Sequence, residues 1–266
     1  MKTFTIRQII EATKGQLLES SSINLDGEVK GVSTDTRTIK KGELFIPLVG
    51  EIFDGHYFVD EAIEKGASAV LIHREDAKFL PELFPEVAVI KVADTLKALQ
   101  DLASFQRSRF NIPIVAVTGS NGKTTTKDMI ALVLSQKYKV LKTQGNFNNE
   151  IGLPLTLLGL DDSHEVAVVE MGMNHLGEIH RLAKIARPNI GVITNIGVSH
   201  IQNLGTRENI LKAKMEIFDF FTSEDKAILN GDDEFLSKIA GEFPYQVKYY
   251  GTSDIASIKA QDIRLL

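Results

Sequence analysis

The chain has 266 residues, 43% hydrophobic and 24% charged, with a formal net charge of −5 and no cysteine. That length serves one large domain or two modest ones, and the acidic balance argues against a nucleic-acid or anionic-membrane surface. The missing thiols exclude a disulfide framework and thiolate chemistry, no apolar run reaches bilayer length, and MKTFTIRQIIEATKG lacks a secretory core, so a cytoplasmic protein is expected.

The chain opens on a short predicted helix. Thr5 and Gln8 form a capping-box pair, Ile6, Ile9 and Ile10 share one face, and Gly15 is placed to end it. EVKGVSTD, ELFIPLVG and SAVLIHR at 68–74 read as strands, and HYFVDEAIEKGA between the last two reads as a helix stopped by Gly66. AVIKV at 88–92 is a further strand. The helix TLKALQDLASFQ follows, with Asp94 as its cap and Leu96, Leu99, Leu102 and Ala103 on one face.

From residue 113 the pattern becomes strand, loop, helix. PIVAVTG, KVLKT, EVAVVEM, NIGVITN and KAILN are continuous apolar strands, and TTTKDMIALVLSQK and HLGEIHRLAKIA are amphipathic helices between them. Such alternation implies a parallel sheet covered on both faces. The expected fold class is therefore α/β. A small N-terminal domain spans 1–93, and a mostly parallel-sheet, P-loop ATPase-like domain spans 94–266, with the 94–109 helix packed on the second. The tail SDIASIKAQDIRLL is strand-like without a closing element, so the second domain is expected to be incomplete.

The stretch TGSNGKTTTK at 118–127 has the context of a phosphate loop, a buried-type strand before it and a helix after it. A Walker loop carries a glycine five positions before its last one, and Val117 stands there instead. The physics survives the shortening. Gly119, Ser120, Asn121, Gly122, Lys123, Thr124 and Thr125 still offer backbone N–H groups at a helix N-terminus, where the dipole favours an anion. Lys123 can reach outer phosphates and the Thr124 hydroxyl can ligate Mg²⁺. No NKxD guanine-reading motif occurs, so the expected nucleotide is ATP.

Glu170 ends a predicted parallel strand, beside the crevice where open α/β sheets bind ligands, and a hard carboxylate there suits Mg²⁺. His200 follows the strand NIGVITN and should reach the same edge; a loop histidine taken alone is more often structural. Lys214, in ENILKAKMEIF, would on its own be read as a solvated helix lysine, with Lys212 as a neighbouring decoy.

TGSNGKTT, followed by GNFNNEIGLPLTLL, VVEMGMNHLGEI and TNIGVSHIQNLGTRENILKAKMEIF, resembles the Mur ligases, ATP-dependent amide-forming enzymes of peptidoglycan precursor synthesis. The resemblance covers essentially the whole chain, and the family's usual third domain is absent from it. It implies that Glu170 and Thr124 hold a first Mg²⁺, and that His200 and a CO₂-carbamylated Lys214 help hold a second. A carbamate needs a neutral amine, hence a depressed pKa. It further implies that Asn230 and Asp232 approach the adenosine and that Asn146 and Asn149 face nucleotide and substrate. Ser33, Thr34, Arg37 and His56, in STDTR and DGH, would grip the diphosphate of a UDP-sugar. The wording of GNFNNEIGLPLTLL and VVEMGMNHLGEI points to the member that joins D-alanyl-D-alanine to UDP-N-acetylmuramoyl-tripeptide through an acyl phosphate. The rivals are a member adding lysine or diaminopimelate, a folate polyglutamate ligase, and a non-catalytic ATP-binding module. A monomer is expected, with no nucleic-acid or membrane partner. The 266 residues alone are expected to bind the UDP-sugar precursor but to make little amide product.

Overall fold

A computed structural model describes residues 1–18, 23–73, 84–239 and 243–263. The chain divides into two compact units, one of Met1–Arg109 with Leu157–Asp162, the other of Phe110–Thr156 with Ser163–Leu266.

The first unit runs β1 (Phe4–Thr5), α1 (Ile6–Thr13), β2 (Gln16–Leu17), β3 (Glu28–Val29), β4 (Val32–Ser33), β5 (Leu44–Phe45), α2 (Val59–Glu64), β6 (Ala69–Ile72), β7 (Ala88–Lys91) and α3 (Thr95–Ser108). The capping box at Thr5 and Gln8 is formed in both directions. A five-stranded sheet has the order β2-β7-β6-β5-β4, parallel except for β2. EVKGVSTD is split between two sheets, since β3 pairs with β1 while β4 joins the larger one. The chain turns between them at Lys30 and Gly31, where Lys30 N–H donates to Gly42 O. A 3₁₀ turn at Gly55–Phe58 replaces the start of the helix expected from His56. Asp94 caps α3 as expected, through Lys97 N–H at 2.8 Å. The expected boundary at 93/94 falls before α3, whereas the compact units divide after it. Gln106, fully buried near the end of α3, donates to Leu160 O at 2.8 Å within the first unit.

The second unit runs β8 (Ile114–Thr118), α4 (Lys123–Leu134), β9 (Val140–Lys142), α5 (Gly152–Leu158, its last residues counted with the first unit), β10 (Val166–Glu170), α6 (Glu178–Ala186), β11 (Ile190–Ile193), α7 (Ile201–Leu204), α8 (Arg207–Met215), β12 (Lys226–Asn230), β13 (Gln246–Gly251) and β14 (Ile258–Lys259). Its seven strands are all parallel, in the order β14-β13-β12-β11-β8-β10-β9. Val115, Val117, Val168 and Val192 meet Ala131 of α4 on one face. On the other, Gly191 leaves room for Phe218, whose Cδ1 would stand 3.1 Å from an added Cβ. From β8 the chain runs to β9 at one edge, returns to β10 between them, then crosses to β11 and beyond. That reversal makes the C-terminal ends of β10, β8 and β11 the crevice of an open α/β sheet. The strand SAVLIHR is realised at Ala69–Ile72, and its Arg74 lies outside the described residues, as do the last three residues of the tail.

Candidate active site at the ends of the parallel strands

Val117 is buried within β8, paired with Glu170 on one side and Val192 on the other. The glycine missing from the usual pattern is thus replaced by ordinary strand, and the loop turns two residues later. Gly119 (φ +149°) lies against Thr194, whose Oγ1 an added Cβ would overlap. Gly122 (φ +76°) is the N-cap of α4, a left-handed conformation that glycine adopts without penalty.

The loop is tied to the segment after β11. Ser120 N–H donates to Asn195 O at 3.0 Å, and Ser120 Oγ accepts from Gly197 N–H at 2.8 Å. Asn121 O accepts from Thr194 Oγ1 at 2.6 Å and from Asn195 Nδ2 at 3.0 Å. These bonds deliver His200, which holds a left-handed backbone (φ +65°) at the start of α7. Thr194 and Asn195 were not singled out in the sequence; the TN following an apolar strand was the available signal.

Lys123 folds back onto the loop, its Nζ 3.0 Å from Gly119 O and 3.3 Å from Ser120 O. Burial lowers its pKa, and Glu170 opposes that shift. Thr124 Oγ1 donates to Glu170 Oε2 at 2.8 Å. The other carboxylate oxygen accepts from Asn148 Nδ2 at 2.7 Å. Thr125 is exposed in the first turn of α4.

Lys214 is 2% exposed on α8, whereas Lys212 faces solvent. Burial, and then the like charge of Lys123, pull the Lys214 amine down to about 7. His200 is also lowered, by burial first and then by Lys214 and Lys123, with Glu178 opposing. Lys123 is therefore coupled to Glu170, His200 and Lys214, and His200 to Lys214.

The remaining expectations divide. Asn149 Oδ1 accepts from Ile151 N–H and from Gly152 N–H, the first residue of α5, while Asn146 is exposed. Asn148, not one of the two expected, is the asparagine that meets Glu170. Asn230 Nδ2 donates to Thr194 O at 3.0 Å, and Asp232 accepts from Thr252 and Ser253 N–H groups, which lower its pKa.

In the first unit, Thr34 and Arg37 line a cavity of about 520 Å³ together with Asp35, Phe53, Phe58 and Glu61. Arg37 forks onto Asp35, with Nη2 2.6 Å from Oδ2, and holds that carboxyl at about 2. Ser33 is buried at the end of β4, its hydroxyl donating to Asp35 O at 2.9 Å. His56 is buried with both ring nitrogens engaged, Nδ1 at 2.7 Å from Asp54 and Nε2 accepting from His73 N–H. The cavity thus has Thr34 and Arg37 on its wall, while Ser33 and His56 are bonded within the unit.

No three His, Cys, Asp or Glu side chains cluster for a metal among the described residues. Thr124 and Glu170 nevertheless fit Mg²⁺, which takes one or two protein oxygens and completes its shell with phosphate and water.

Residues 117–265 match the Mur ligase middle domain, and residues 28–107 match the Mur ligase family catalytic domain. The chain belongs to the Mur ligase family. This Mur ligase chain is 46% identical over 259 residues to the UDP-N-acetylmuramoyl-tripeptide–D-alanyl-D-alanine ligase of Bacillus subtilis, covering 97% of this chain and 55% of that protein. A crystal structure of MurF from Acinetobacter baumannii aligns with a TM-score of 0.89 at 35% identity, over 100% of this chain and 56% of that one. MurF from Thermotoga maritima, solved in complex with ADP, aligns with a TM-score of 0.75 at 33% identity, over 84% and 51%. The Mur ligase chain spans about half the length of these relatives.

Proposed function

We propose that this Mur ligase is a cytoplasmic, ATP-dependent amide ligase that joins D-alanyl-D-alanine to UDP-N-acetylmuramoyl-tripeptide in peptidoglycan precursor synthesis. The observation that carries the reading is the junction of the phosphate loop with Glu170, where the Thr124 hydroxyl and the buried carboxylate meet at 2.8 Å beside Lys123. Identity of 46% to a ligase of that name across nearly the whole chain supports the choice of substrates.

The tripeptide carboxylate attacks the γ-phosphorus of ATP; a new P–O bond forms, the bond to the bridging oxygen breaks, and ADP leaves. Two anions approach, so charge neutralisation is the main demand. Lys123 supplies it by leaving the loop carbonyls for the outer phosphates, and the N–H groups at the start of α4 hold the phosphate chain. Thr124 and Glu170 would hold Mg²⁺, and His200 and Lys214 would help hold a second ion; such ions would screen the phosphates and the incoming carboxylate. A Lys214 amine near neutrality reacts with CO₂, forming an N–C bond, releasing a proton and replacing a cation with an anionic oxygen ligand. The D-alanyl-D-alanine amine then attacks the acyl carbon, a C–N bond forms, and phosphate leaves as the amine loses a proton. Asn146 is left free for substrate. Asn149, Asn230 and Asp232 shape the loops around the nucleotide, and Thr34 and Arg37 are the donors offered to the diphosphate.

The test is ADP release by the full-length protein against a panel of UDP-muramoyl peptides and amine acceptors. Turnover that requires the tripeptide and D-alanyl-D-alanine together supports the reading. Equal turnover with lysine or diaminopimelate, or ATP binding indifferent to the UDP-muramoyl peptide, overturns it.

A further inference from the structure

Glu170 is 1% exposed, and burying a carboxylate is costly unless hydrogen-bond donors reach its oxygens. Two bonds supply such donors and a third holds the backbone of Glu170. Oε2 accepts from Thr124 Oγ1 at 2.8 Å, Oε1 from Asn148 Nδ2 at 2.7 Å, and the Glu170 N–H donates to Thr143 Oγ1 at 3.0 Å. The Thr124 hydroxyl must turn away from Glu170 if both are to face a cation, which leaves Asn148 as the lasting side-chain partner of the carboxylate.

Asn148 is itself held. Its carbonyl accepts from Gly172 N–H at 2.8 Å, and its own N–H donates to Asn146 O at 2.7 Å. A Cβ on Gly172 would stand 2.9 Å from Asn148 Oδ1 and 3.1 Å from Nδ2, so glycine there leaves the amide its place. The segment leading to Asn148 is anchored upstream by Lys127, 2% exposed, whose Nζ donates to Thr143 O at 3.0 Å. One strand end therefore supplies a bond to the Glu170 backbone, through Thr143, and the loop beyond it supplies one to the Glu170 side chain.

We propose that Asn148 is a positioning residue for Glu170: its carboxamide fixes Oε1 so that Oε2 stays presented beside Thr124, and Gly172 is glycine to admit that amide. The inference rests on Thr124 and Glu170 being the Mg²⁺ ligands of the proposed function. Aspartate at 148 would set a second carboxylate against the first with no proton to donate, and an aliphatic side chain would leave Oε1 unsatisfied.

The experiment titrates Mn²⁺, a paramagnetic stand-in for Mg²⁺, into the full chain with saturating ADP and follows free Mn²⁺ by EPR. Asn148→Ala is expected to weaken Mn²⁺ binding about 10-fold or more, with ADP affinity in EDTA little changed. Gly172→Ala should weaken Mn²⁺ binding in the same direction by displacing the amide. The double variant should be no worse than the poorer single, because both act through one contact. Unchanged Mn²⁺ binding in Asn148→Ala, strictly additive losses in the double variant, or losses matched by metal-free ADP affinity would each overturn the proposal. Glu170→Gln separates the two layers. If it binds Mn²⁺ normally, the metal-ligand reading fails; if it loses Mn²⁺ while Asn148→Ala does not, the positioning role alone fails.

Discussion

In the first unit, the His56 ring has both nitrogens bonded, the Ser33 hydroxyl closes its own turn, and Arg37 lies on Asp35. At the strand ends of the second unit, Lys214 is buried with the like charge of Lys123 acting on it, and the pKa of His200 is lowered by burial first and then by both lysines. A buried polar group satisfied by its own fold contributes to that fold; a buried cation facing other cations costs stability. On the proposed reading, a carbamate on Lys214 and the bound nucleotide offset that cost. Lys127 gives the internal control. It is as buried as Lys214, yet it has Thr143 O and Asp128 as partners.

The comparison can be broken most forcefully at Lys123. Lys123→Ala in the full-length protein should lower ADP release about 10³-fold, the scale on which a donor to transition-state charge contributes, with the melting temperature nearly unchanged. Turnover within a few-fold of the original would remove the loop from the chemistry. Gly119→Ala comes next, because the added methyl overlaps Thr194 Oγ1 and its φ of +149° suits only glycine. ADP binding measured calorimetrically should fall by at least about 10-fold, the loss of roughly one well-made charged hydrogen bond.

The paired lysines sharpen the contrast by sign. Lys127→Met should destabilise the chain by about 1–3 kcal/mol, since it leaves Thr143 O buried without its donor. Lys214→Met should leave thermal stability at pH 7 unchanged or higher. The Lys214 pKa is lowered from 10.5 to about 7. The unfolded chain therefore binds more protons than the folded one between those values, and stability rises with pH across that window. The Lys214→Met chain should lose this rise, as melting curves between pH 7 and 10 would show. Carbamate on Lys214, read by ¹³CO₂ NMR with bicarbonate and Mg²⁺, should likewise increase as pH passes through about 7. The smallest effect is expected in the first unit. Arg37→Ala, at an exposed side chain, should weaken UDP-sugar binding by roughly 10-fold or less without changing the melting temperature.

What the sequence made legible was local. The strand, glycine turn and helix around 114–134 are contiguous, and their apolar and glycine pattern suffices to define them. Lys214 is set apart from Lys212 in the sequence only by the family resemblance, and the structure then buries Lys214 while Lys212 faces solvent. What escaped depends on distant partners. The strands β1 and β2 are two residues long, too short for any alternation to register. α5, GLPLTLL, has buried leucines without a polar stripe, so no helical period stands out. β13, QVKYYG, was missed because its residues are mostly half-exposed and its polar positions interrupt the apolar run. GNFNN offers three asparagines of equal standing, and the choice of Asn148 is made by Glu170 and by the bare backbone of Gly172, more than twenty residues downstream.

The central claim is that the shortened phosphate loop and the carboxylate ending β10 hold one metal–nucleotide complex. A crystal structure of the full-length protein with Mn²⁺ and a non-hydrolysable ATP analogue tests it directly, through the anomalous signal of the metal. The account predicts a peak within bonding distance of both Thr124 Oγ1 and a Glu170 carboxylate oxygen, with Lys123 Nζ moved from Gly119 O to the outer phosphates. A peak away from Glu170, or a nucleotide bound with Lys123 still on the loop carbonyls, would contradict it.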